Sequence, residues 1–143
     1  MATVYIIRAI GVHMIKIGIT SDIERRVAEI SSMSPVKLEI VDLLHGVGFG
    51  VEATVHELMY DHRSHGEWFN EDGLEIALRW FCIVRKAAND IAAMLSSRCD
   101  AKEKQILIDL LRKSGATNIA MALDAFVNET GAGVSTMDKA GGA

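Results

Sequence analysis

Hydrophobic and polar positions change period several times along the chain, and each change marks an element. From Thr3 to Ala9 the residues are mainly β-branched, aromatic or otherwise apolar, the chemistry of a strand. Alternation places Thr3, Tyr5 and Ile7 on one face and Val4, Ile6 and Arg8 on the other. Gly11 breaks the run. A second alternation covers Met14 to Ile19, where Ile15, Ile17 and Ile19 share a face and Lys16 and Gly18 point the opposite way. The simplest connection between the two is a hairpin.

The period then lengthens. Ser21-Asp22-Ile23-Glu24 reads as a capping box in which Ser21 caps and Glu24 reaches back. The helix it opens runs to about Met33 and stops ahead of Pro35, because the residue before a proline avoids the helical region. At about 100° per residue its buried stripe is Ile23, Val27, Ile30 and Met33. Arg26 falls beside that stripe, while Arg25 lies outside it and pairs with Glu29 one turn on. Lys37 to Leu44 is a third strand. After Gly46, Gly48 and Gly50, a second helix spans about Val51 to His62 with Val51, Val55, Leu58, Met59 and His62 on its apolar side. Glu52 and His56 line one flank of that stripe, and Glu57 faces away.

Further on, Gly66 turns the chain and Trp68 and Phe69 anchor it. A long helix then covers about Leu74 to Ser96. Asp100 with Glu103 opens another over Ala101 to Lys113, and Gly115 is its C-cap. A last short helix occupies about residues 118–128. The organisation expected is a first domain over residues 1–80, a helical extension over 81–130 that packs on it or dimerises, and a flexible Gly/Ala-rich tail over 131–143.

Composition narrows the class. The chain has 143 residues, half of them apolar and about a quarter charged, which is ordinary for a globular protein. No apolar run approaches the roughly 20 residues that span a bilayer, so no membrane partner is expected. The N-terminus lacks the pattern of a signal peptide. Cys82 and Cys99 are too few for a disulfide framework and wrongly spaced for zinc. A reduced, cytoplasmic protein is the default. The net charge of -4 is unevenly spread: residues 1–80 hold seven Lys and Arg against twelve Asp and Glu, while the remainder is near neutral. A nonspecific nucleic-acid binder usually shows a basic footprint, which this chain lacks overall.

The ordered motifs carry more information than the bulk. VYI, then KIG, then Arg26, then a helix with E-x3-H at Glu52 and His56, then GEWFN, resembles the GIY-YIG nuclease superfamily, and within it the small phage-type branch. The likeness covers about residues 3–80. It implies an α+β fold in which a small three-stranded antiparallel sheet is flanked by helices, here with a C-terminal helical extension. It also implies a DNA endonuclease that hydrolyses phosphodiester bonds. In that reading Tyr5 activates or orients the attacking water, Arg26 neutralises charge on the scissile phosphate, and Glu52 binds a single divalent cation, Mg²⁺ or Mn²⁺. Asn70 is the candidate for the family's late asparagine, and His56 for a metal or substrate contact. The chain departs from the family pattern at two positions, with Thr3 in place of glycine and Lys16 where a tyrosine is usual. Lys16 can hold a phosphate or lower the pKa of a nearby group.

The bland reading of each residue alone is packing or a solvated charge, and His13, His62 and His65 are read as loop or surface residues. Gly18 is read as serving close packing or substrate approach, since a strand glycine is otherwise unfavourable. The competing functional class is a catalytically weak or inactive module that binds nucleic acid or a protein partner. DNA is the expected partner, with a homodimer through the C-terminal helices as a further expectation.

Overall fold

In the computed structural model, which describes residues 1–127, the strand β1 (Thr3–Ala9) sits inside the sheet with a partner on each side. It pairs antiparallel with β2 (Met14–Thr20) and with β3 (Leu38–His45). Residues Val4 to Ile7 are fully buried, so both faces of β1 are covered and its apolar run follows. Beyond β2 lie two short strands, β5 (Trp68–Asn70) and then β4 (Arg63–His65), giving the order β3-β1-β2-β5-β4.

The sheet therefore has five strands and not the three expected, although the α+β class stands. The two extra strands have three residues each, too few for an alternation to register in the sequence. They are joined through Gly66, whose φ of 55° is a left-handed conformation that suits glycine.

A helical layer lies on each face. The helix α1 (Ile23–Met33) covers Tyr5 and Ile7 through Ile30, Ile23 and Val27. On the opposite face Val4, Ile6, Ile15 and Ile17 pack with Val55 of α2 (Phe49–Leu58) and with Met59, the residue just after it. The same core takes Ala77 and Phe81 from the first part of α3 (Leu74–Arg98).

Several local expectations change. The cap of α1 is Asp22 and not Ser21: its carboxylate accepts from the Arg25 amide at 3.0 Å, and the Thr20 hydroxyl accepts from the Asp22 amide at 3.1 Å. Met33, the last residue of α1, is 77 % exposed rather than buried. α2 begins at Phe49 and ends at Leu58, with residues Tyr60–His62 forming a separate 3₁₀ turn, and Leu58 is exposed.

Residues Met1–Val84 form one compact unit, and the described residues from Arg85 onward form a second. Within the second, α4 (Ala101–Lys113) carries the expected capping box, with Asp100 and Glu103 each bonding the other's amide. Gly115, at φ 85°, closes α4 with Schellman-type bonds from its own amide to Arg112 and from Ala116 to Leu111. The last described helix, α5, spans residues 117–127. Ala92, Ile108, Ala120 and Leu123 make this unit's own core. The end of the helix expected at residue 128, and the tail expected over 131–143, lie outside the described residues. Among the described residues no helix is long and apolar enough to cross a membrane.

One contact fixes how β1 and β2 meet. Gly18 stands opposite Tyr5 in the pairing register. A Cβ at Gly18 would sit 2.6 Å from Tyr5 Cζ and nearer still to the hydroxyl. Because the ring is fully buried it has no room to swing aside. Gly18→Ala is expected to destabilise the fold by about 1–3 kcal/mol despite alanine's better strand propensity. Adding Tyr5→Leu to Gly18→Ala should recover part of that loss. A urea-denaturation double-mutant cycle measures it, and strictly additive effects would contradict the contact.

Candidate functional site

Tyr5 is the floor of the site. Its hydroxyl accepts a hydrogen bond from Arg26 Nε at 3.3 Å, which joins the centre of the sheet to α1. Burial pushes its pKa up; the Arg26 hydrogen bond and charge oppose this, and the Glu67 and Glu52 charges add to the rise. Tyr5 is thus a neutral phenol with no exposed surface. Such surroundings suit a group that positions Arg26.

Arg26 is held on two sides. Nε donates to Tyr5, and Nη1 lies 3.5 Å from Glu29 Oε2. Its side chain is 35 % exposed, so part of the guanidinium faces solvent. The Tyr5 hydrogen bond raises its pKa further, and the group stays charged at any working pH. Arg25 behaves as its helical phase requires: it is 77 % exposed and pairs with Glu29 at 2.9 Å.

Lys16 shares the Tyr5 face. In the register it stands opposite Ile7 of β1 and Trp68 of β5. Its ammonium is 2.9 Å from Glu67 Oε2 and 5.4 Å from the centre of the Trp68 ring. Only 11 % of the side chain is exposed.

Glu52 and His56 arrive from α2. The pairing of β5 with β2 ends at Lys16, which leaves the next backbone groups of β2 for other partners. The Ile17 amide donates to the Glu67 carbonyl at 3.1 Å. His56 Nε2 donates to the Ile17 carbonyl at 2.8 Å, and its ring meets Phe69 edge-on at 5.1 Å. A carbonyl can only accept, so Nε2 carries a proton and offers no lone pair to a metal in this arrangement. His56 is therefore placed as a support for α2 against β2, 3.9 Å from Glu52. The Glu52 side chain is 14 % exposed. Burial raises its pKa first; His56 lowers it, Glu67 raises it and Lys16 lowers it. A carboxylate kept partly desolvated beside a second carboxylate costs stability, and such sites tend to be functional.

Contacts thus join Tyr5 to Arg26, Lys16 to Glu67 and Glu52 to His56, and the charges of Glu67 and Glu52 both act on Tyr5. Asn70 stands apart in role: its side chain accepts from the Asp72 amide at 2.9 Å and caps the 3₁₀ turn Glu71–Gly73. Glu67 is the member that sequence reasoning missed. It lay in view within GEWF, yet its part depends on the end of the β2–β5 pairing, which no local pattern reveals.

Among the described residues no group of three or more His, Cys, Asp or Glu is arranged to hold a metal ion. An all-protein cage is therefore absent from them. The partly buried Glu52, with the Glu67 charge acting on it, does fit Mg²⁺, which keeps several waters and takes one or two carboxylates.

The T5orf172 domain family model matches residues 2–94, which include all five strands, α1, α2 and most of α3. No curated protein and no solved structure is significantly similar to the chain.

The raised pKa of Glu52 has a definite sign. Its folded value lies above the ordinary 4.5, so the penalty is absent below the unfolded pKa and fully present above the folded one. Glu52→Gln is expected to raise Tm at about pH 7.5 in EDTA, with the gain vanishing near about pH 4. Scanning calorimetry at the two pH values checks this, and a lowered Tm at the higher pH would show that Glu52 is instead a stabilising charge.

Proposed function

We propose that this chain, which belongs to the T5orf172 domain family, is a divalent-metal-dependent DNA endonuclease of GIY-YIG type. The observation that supports it best is that the buried Tyr5 hydroxyl, which fixes Arg26, also feels the charge of the partly desolvated Glu52. A hydrolysed phosphodiester needs positive charge where negative charge grows, held in place before the reaction. Arg26 supplies a fixed guanidinium whose Nη2 carries no hydrogen bond to the described residues. Glu52, with Glu67 beside it, would hold Mg²⁺ or Mn²⁺, which when bound supplies Lewis acidity and a more acidic water. Tyr5 acts through Arg26 as a positioning residue. Lys16 balances Glu67 and keeps a second cation at the edge of the site.

A second reading has its own support. The Lys16 ammonium is already neutralised by Glu67 at 2.9 Å, which favours a weak or inactive module that binds DNA or a protein partner without cutting. The second unit leaves Ile91, Met94, Ile106 and Leu110 exposed, which supports pairing of two copies through the C-terminal helices.

With Mg²⁺, the wild-type protein is expected to nick or cut plasmid DNA. Arg26→Ala should lower the rate about 10²–10³-fold. Glu52→Gln should abolish cleavage while circular dichroism shows an intact fold, and Mg²⁺ should raise the Tm of wild type but not of this variant. An absence of cleavage on single-stranded, duplex and branched DNA with both Mg²⁺ and Mn²⁺ would leave the binding module as the surviving reading.

A further inference from the structure

Beside the charged cluster the first unit contains a cleft of about 370 Å³ that the reading above leaves unused. Its walls come from β2, from α1 and the segment after it, and from the β4–β5 hairpin. Met14, Ile30, Val36 and Trp68 give it an apolar lining with one aromatic wall, and Lys16 and Arg26 bound it. Arg26, proposed above to meet a phosphate, thus borders the apolar hollow together with Lys16. The volume lies at the small end of the roughly 300–1,000 Å³ typical of small-ligand sites, so a duplex does not enter.

We infer that this cleft takes a single unpaired nucleobase of the bound DNA strand, flanking the phosphate held by Arg26. The inference rests on the phosphate-binding role proposed above. A nucleotide has the matching chemistry: a flat, largely apolar ring joined to an anion. A base inside a duplex is stacked and out of reach, so the occupant is extruded or already single-stranded. Trp68 offers a ring for it to lie against, a contact that tolerates any base sequence. Site specificity then comes from DNA form, such as a flap, gap or mismatch, rather than from base-edge readout. Trp68 also packs with Ile7 and Tyr5, so the walls of the cleft and the anchor of Arg26 belong to one cluster.

Two labelled oligomers of equal length and charge test this, in Ca²⁺ in place of Mg²⁺. One is wholly abasic, and the other carries 2-aminopurine as its only base. The wild type is expected to bind the second about tenfold more tightly and to quench its fluorescence by stacking. Trp68→Leu should bring the affinity ratio close to one. Val36→Glu, which puts a carboxylate into the apolar wall near the surface, should do the same if the Trp68 variant does not fold. Using a ratio cancels any change in phosphate attraction. Equal affinity of the wild type for both oligomers overturns the inference, as does a ratio that both variants leave unchanged. The two readings separate cleanly. Plasmid cleavage without base preference removes the pocket and keeps the nuclease, whereas base preference without cleavage keeps the pocket and removes the nuclease.

Discussion

The close seating of the Tyr5 ring on the backbone of Gly18 is the constraint on which the site depends. It brings a bulky phenol to a place in the sheet where only a glycine partner leaves room. It also aims the hydroxyl at α1, where it receives Arg26 Nε. A buried polar group needs a partner, and a long basic side chain needs something to hold it still; each meets the other's need. The floor of the site and its guanidinium are thus one unit, and whatever shifts β2 against β1 shifts Arg26 as well.

The charges around that unit do not all favour stability. Burial raises the Glu52 pKa, and the negative charge of Glu67 raises it further. His56 and Lys16 offset this in part, but His56 Nε2 is committed to the Ile17 carbonyl and Lys16 to Glu67. A fold selected for stability alone would place a neutral side chain at position 52. Retaining the carboxylate there makes sense if a cation or a substrate group is its complement.

Much of this was legible from sequence. Strand alternation separated Lys16 and Gly18 from the isoleucines, and helical phase separated Arg26 from Arg25, because each of those elements is long enough to show its period. What stayed hidden depends on short or tertiary features. β4 and β5 have three residues each, so no alternation announces them. Glu67 joins the cluster only because β5 leaves β2 after Lys16 and the Ile17 amide takes the Glu67 carbonyl. The exchange of Ser21 for Asp22 at the cap turned on the Thr20 hydroxyl, since Ser and Asp are nearly equal as caps. Burial of Tyr5 was invisible for a related reason: alternation assigns a face, and only the arrival of α1 decides that the face is closed.

The acidic balance of the chain bears on how any nucleic acid would be held. Salt-dependent affinity for DNA grows with the number of phosphates met by Lys and Arg. Here the basic groups of the site are few, and Arg25 and Lys16 are each paired with a carboxylate. A broad electrostatic grip is therefore not available to this face. Under the proposed function, affinity would come from a small number of strong, local terms: one guanidinium fixed by Tyr5, a cation held by Glu52, and apolar contact in the cleft bordered by Lys16 and Arg26. Such terms act on one phosphate and one base rather than along a length of duplex. For that reason the overall negative charge, which at first counts against a DNA partner, is compatible with one whose strand is locally opened and held at a single nucleotide.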